Sequence, residues 1–190
     1  GHGALIENLN DLEGDIVFIK NIDNVVPEWR QPEIVRWKLV LAGVLLELQG
    51  RVFAHLDRLE NGSSTDVSAA REFLTEALGQ SLGNEGNEES GASTEEQRAL
   101  LIEALNRPIR VCGVVRNEGD PGGGPFWVRD SAGRATCQIV ESAQVNANDS
   151  AQQQVFASAP HFNPVDLVCG VRDRNSQTFD LREFVDDGAV

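Results

Sequence analysis

The sequence predicts an α/β chain, and three features of it carry that reading. Short apolar runs bounded by turn-forming residues occur at 15–19, 109–116, 126–129, 136–145 and 165–172 and read as strands. Between the first two runs, apolar residues recur at helical spacing from Ile34 to Leu59. Farther on, Thr94-Glu95-Glu96-Gln97 reads as a capping box that opens another helix.

Taken in order, Asp15–Ile19 is the first strand, because Ile16-Val17-Phe18-Ile19 is apolar and empties into Asn21-Ile22-Asp23-Asn24. The segment 27–59 reads as helical, in two pieces, with Pro32 suited to a first turn and Asn61-Gly62 as its stop. A shorter helix is expected over 68–78. The stretch 79–93 is dominated by Gly, Asn, Glu and Ser without a period, which cannot bury enough apolar surface to order itself, so a flexible loop is expected there. The helix from Thr94 runs to about Asn106, and Pro108 closes it. Strands then follow at 109–116, 126–129, 136–145 and 165–172. The whole reads as one domain over 1–190 with a helical insertion at about 60–106 that contains the 79–93 loop.

The chain has 190 residues, 41% hydrophobic and 24% charged, with 30 acids against 16 bases and a net charge of −14. So acidic a balance disfavours nucleic acid and anionic membrane surfaces as partners, because both draw their affinity from a basic face. The longest apolar run, Leu39 to Leu48, carries Gly43 and Glu47 and falls short of the ~20 residues a membrane span needs, so no membrane partner is expected. Cys112, Cys137 and Cys169 have no paired metal spacing and sit in apolar contexts. They are expected as buried thiols of a protein in a reducing, cytoplasmic compartment.

Candidate site residues cluster at strand ends and glycine loops. Asp23 follows the first strand, and in open α/β sheets ligands bind at the carboxyl ends of strands. One carboxylate there suits Mg²⁺, which keeps its waters and takes one or two protein carboxylates; the alternative is a plain Asn/Asp turn. Gly1-His2-Gly3 allows close backbone approach to a ligand, although a terminal histidine is also commonly solvated. Asn21 could reach a ribose or phosphate. Gly122-Gly123-Gly124 either turns sharply or admits a close neighbour, and it lacks the Lys-Ser/Thr of a Walker loop. Glu141 lies inside an apolar strand and faces either solvent or a sugar hydroxyl, while Pro164 holds Asn163 extended.

In order along the chain, Gly1-His2-Gly3-Ala4-Leu5, Asn21-Ile22-Asp23-Asn24, the glycine loop before Pro125-Phe126-Trp127-Val128, Ile139-Val140-Glu141-Ser142-Ala143-Gln144-Val145 and His161-Phe162-Asn163 resemble UTP–sugar-1-phosphate uridylyltransferases. More closely, nearly the whole chain resembles a bacterial family known only as a domain of unknown function, related to the nucleotide-diphospho-sugar transferases. The resemblance implies a fragment of a glycosyltransferase-A-like, Rossmann-like nucleotidyltransferase domain, a mixed sheet flanked by helices. It implies that Gly1, His2 and Gly3 lie against base and phosphate, that Asp23 holds Mg²⁺, that Asn21 is near the ribose, and that Gly124, Glu141 and Asn163 surround the sugar. No residue is assigned as catalytic. The implied reaction joins a nucleoside triphosphate to a sugar phosphate; a non-catalytic sugar-nucleotide-binding module is the alternative. The family's N-terminal Gly-rich basic loop and its downstream lysine are not found in this sequence, so the chain is expected to be an internal fragment, inactive alone.

Overall fold

The computed structural model describes residues 4–22, 25–62, 64–83, 92–119, 122–130 and 133–185. The first helix, α1, spans Ala4–Asn10, and the first strand, β1, spans Ile16–Lys20. A single turn of 3-10 helix at Glu28–Arg30 leads into α2, Gln31–Asn61, with Pro32 in its first turn. The expected two helical pieces are therefore one 31-residue helix behind a short turn, since nothing inside it interrupts the backbone ladder. Its C-terminal carbonyls are satisfied from outside: the Arg98 guanidinium donates to Leu59 O and Gly62 O.

Next come α3, Ser64–Glu76, and the two-residue strand β2, Gln80–Ser81, which occupies the start of the expected loop. The rest of that loop, 84–91, lies outside the described residues. Helix α4 spans Thr94–Leu105, but its cap is Ser93 rather than Thr94: Ser93 Oγ accepts from the Glu96 N–H, and the Glu96 carboxylate accepts from the Ser93 N–H at 2.7 Å. The capping box is real and one residue earlier than expected, because Ser93-x-x-Glu96 closes the reciprocal pair.

The remaining elements are β3, Ile109–Cys112; β4, Val115–Arg116; β5, Gly124–Arg129; β6, Ala135–Val140; α5, Ser150–Ala157; β7, His161–Phe162; and β8, Asp166–Gly170. The single strand expected over 109–116 is thus broken at Gly113, and β6 stops five residues short of Val145. A 3-10 turn at Ser142–Gln144 replaces its end. A further turn, Leu181–Phe184, follows β8.

Every strand pairing among the described residues is antiparallel, in three small sheets ordered β1-β8-β3, β2-β6-β5 and β4-β7. That corrects the expected mixed sheet. The fold is α/β in content, with helices against small antiparallel sheets.

Among the described residues two clusters form the core. The larger is helical: Val52, Leu56 and Leu59 of α2 meet Val67, Ala70, Phe73 and Leu74 of α3 and Leu101 and Leu105 of α4. The smaller joins Val17 of β1 to Val171 and Leu181, with Ile6 and Leu9 of α1 against it. Helix α2 also crosses β8, where Gly170 lets it close in; a Cβ there would stand 2.8 Å from the Gln49 side chain.

The N-terminal half of α2 is different. Trp37, Leu39 and Leu46 are 61%, 65% and 54% exposed. With its leading turn, this helix is long and apolar enough to cross a membrane by length and composition, and 17% of its most apolar window is buried. The expectation that no such segment exists is corrected: Glu47 and Arg51 interrupt the run without making the segment polar.

Candidate functional site

Antiparallel pairing brings the end of β1 to the start of β8. Lys20 lies opposite Asp166, and their side chains form a half-buried ion pair at 2.8 Å. Asn21, one residue on, donates its backbone N–H to Val165 O at 3.3 Å. Val165 in turn donates to the side-chain oxygen of Asn163 at 3.0 Å. The Asn163 amide nitrogen donates to Gly113 O, and the Asn163 backbone N–H donates to Gly123 O at 2.7 Å. Asn163 is 4% exposed, the one buried polar side chain among the described residues. It is a junction. One side chain and its backbone bind the break between β3 and β4, the approach to β5 and the approach to β8.

The geometry explains two features of the sequence. Gly113 interrupts Val111-Cys112-Gly113-Val114 because its carbonyl must turn to Asn163 while its N–H donates to Asp166 O at 2.8 Å. Val165 has a φ of 56°, a left-handed conformation that a β-branched residue adopts only against steric resistance. Its N–H and C=O are held by Asn163 and Asn21, which fix the backbone there.

Gly123, Gly124 and Glu141 complete the cluster. The β5–β6 register places Gly124 opposite Val140, so Gly123 and Glu141 are the next pair outward. A Cβ on Gly123 would lie 2.7 Å from Glu141 Oε1, and one on Gly124 would lie 2.9 Å from His161 O. The triple-glycine segment is therefore not a plain hairpin. It connects β4 to β5, in different sheets, and its bare backbone admits the Glu141 carboxylate on one side and the β7 main chain on the other. The backbone N–H of Glu141 donates to the Gln144 side chain at 2.8 Å.

Four of the expected site residues, Asn21, Gly124, Glu141 and Asn163, thus meet in one region although they span more than 140 positions of sequence. Gly1, His2, Gly3 and Asp23 lie outside the described residues, as does Asn24. Antiparallel pairing also changes why Asn21 is there: the parallel-sheet rule that pointed to the end of β1 does not apply, and contact with the start of β8 does the positioning. Gly113, Val165 and the Lys20–Asp166 pair were not singled out from sequence. A glycine inside an apolar strand run was the one available signal for the first.

Among the described residues no group of three His, Cys, Asp or Glu side chains could hold a metal ion. Near Asn21, the Asp166 carboxylate is engaged by Lys20. The three thiols divide. Burial raises the Cys169 thiol to about 11 and pushes Cys112 up as well, which keeps both protonated and unreactive. Cys137, expected to be buried, is exposed on β6.

A family model described as a domain of unknown function (DUF4301) matches residues 1–190. The chain belongs to that family. No curated protein and no solved structure matches it.

Proposed function

We propose that the chain supplies the sugar-binding side of a glycosyltransferase-A-like sugar-1-phosphate nucleotidyltransferase. The observation that supports this reading is the convergence of Asn21, Gly124, Glu141 and Asn163, chosen from an ordered set of motifs, on one junction between three small sheets. In such a reaction an oxygen of the sugar 1-phosphate attacks the α-phosphorus of a nucleoside triphosphate, the new P–O bond forms, and pyrophosphate leaves. Positioning and charge neutralisation carry most of the catalysis. Asp23 would hold the Mg²⁺, whose contribution is to neutralise phosphate charge.

The described residues fit positioning roles. Both polar atoms of the Asn163 amide already bond to backbone, so Asn163 would shape the sugar pocket by fixing Gly123 and Val165 rather than by leading the contact. Glu141, beside a glycine with no side chain to cover it, would accept from a sugar hydroxyl. Because these groups orient rather than react, a sugar-nucleotide-binding module without turnover is the second reading.

Calorimetric titration with UTP and UDP-sugars, with and without Mg²⁺, tests both. The expected result is Mg²⁺-dependent binding weakened about tenfold by Asp23→Asn and by Glu141→Gln, the scale of one lost charge-assisted contact. Pyrophosphate release then separates enzyme from module. Silence toward every triphosphate and nucleotide sugar at millimolar concentration overturns both.

A further inference from the structure

A second region, apart from the Asn163 junction, has the makings of a binding site. Between the β2-β6-β5 sheet and the Leu181–Phe184 turn lies an open cleft of about 850 Å³. In a chain of net charge −14, three arginines line it: Arg107, Arg110 and Arg134. Arg134 is neutralised, with Asp130 at 2.7 Å and Glu103 at 3.5 Å. The other two are not. Among the described residues the Arg107 guanidinium makes no hydrogen bond or ion pair; it lies 5.5 Å above the Phe184 ring, half-buried. Among the described residues Arg110 bonds only to a neutral group, the Gln138 side-chain oxygen at 2.8 Å, and Gln138 is itself held by Thr136 at 3.1 Å.

A half-buried guanidinium against an aromatic face, with no carboxylate bound to it, is costly unless a ligand supplies the counter-charge. Burial and the nearby Arg134 both disfavour the charged form of Arg107, with Glu103 opposing them. Arginine stays charged regardless, so an anion in the cleft would offset that cost beyond what the Phe184 face and Glu103 supply. Glu103, Asp130 and Glu183 line the cleft as well; the first two are paired with Arg134, and Glu183, next to Phe184 in sequence, would repel an anion at its own edge.

We propose that this cleft binds the phosphate group of a small molecule, with Arg107 and Arg110 as the charged donors and Gln138 as the residue that positions Arg110. The planar, multi-donor guanidinium matches phosphate geometry. Val140 and Gln144 line the cleft on either side of Glu141 in sequence, so a molecule anchored there by phosphate would extend toward the Glu141–Gly123 contact. The phosphate site rests on the cleft alone and does not need the nucleotidyltransferase reading.

The test is NMR titration with inorganic phosphate, pyrophosphate and glucose 1-phosphate, with glucose as the uncharged control. Shifts should concentrate on the backbone amides of Arg107, Arg110, Gln138 and Gln144 for the phosphates, and glucose should give none. Arg110→Gln, on an exposed strand position, should weaken glucose 1-phosphate binding about tenfold, and Gln138→Leu should weaken it less by releasing Arg110. Arg36→Gln, at an exposed position of α2, should leave affinity unchanged. Absence of phosphate-dependent shifts at millimolar concentration overturns the phosphate site, as does an equal loss in Arg110→Gln and Arg36→Gln, which would mean diffuse charge attraction. Should Asp23→Asn weaken Mg²⁺-dependent UTP binding while Arg110→Gln leaves glucose 1-phosphate affinity intact, the phosphate site falls and the nucleotide reading stands. With the opposite pattern the phosphate site stands and the nucleotide reading falls.

Discussion

The helical layer and the Asn163 junction are held together in opposite ways. Where α2, α3 and α4 meet, Leu59, Leu74, Leu101 and Leu105 are at most 1% exposed, and the contacts are aliphatic volume. Where β1, β5, β7 and β8 meet, the buried side chain is an asparagine, and the contacts are directed bonds to backbone and the absence of two Cβ atoms. Packing of the first kind tolerates substitutions that keep the volume; bonding of the second kind tolerates none that lose a donor or acceptor. A site that must hold a ligand's hydroxyls in fixed places is better built on the second.

Substitutions in both regions and a change of pH sharpen that contrast. Leu101→Ala should have the largest effect, destabilising by about 2–5 kcal/mol through a cavity that α2, α3 and α4 cannot collapse, as read by urea denaturation. Asn163→Ala should cost roughly 2 kcal/mol, because Gly113 O and the Val165 N–H lose their partner. Asn163→Leu, which keeps the bulk, should not recover that loss; recovery would show that the junction too is held by volume. Ser93→Ala should cost about 1 kcal/mol by removing one half of the α4 capping box.

The smallest effect is in pH. His55 on α2 stacks on Phe73 at 4.6 Å, and burial first, then Arg58 and Arg51, lowers its pKa below the ordinary 6.5. The unfolded chain therefore takes up the proton more readily than the folded one. The contribution of neutral His55 is full above about 6.5 and is lost as pH falls through the lower folded value. Melting temperature should drop over that interval, and His55→Phe should flatten the decline.

Much of this organisation was legible in the residues. The three- and four-residue apolar spacing gave α2 and its Asn61-Gly62 stop, and Ser93-x-x-Glu96 announces α4 once the box is read from Ser93. The residues Asn21, Gly124, Glu141 and Asn163 were visible as a set only through the ordered motifs that carry the resemblance; Glu141 was expected inside a strand and lies just past the end of β6. Strand pairing was not legible. Period-two patterns in segments of two to six residues do not say whether a neighbour runs parallel or antiparallel, and that choice rests on contacts between β1 and β8, about 150 positions apart. The breaks at Gly113 and after Val140 were equally hidden, since local propensity favours continuing both strands.

Local sequence alone determined helices α2, α3 and α4, the acidic balance and the glycine-bare loop, because helix periodicity, reciprocal capping and the freedom of a residue without Cβ act over a few neighbouring positions. Only the tertiary structure decided that a buried asparagine ties three sheets together, and that two arginines line one cleft with, among the described residues, no carboxylate bonded to them. Both depend on which distant backbone carbonyl or charge comes within bonding reach, and no pattern along the chain encodes that distance.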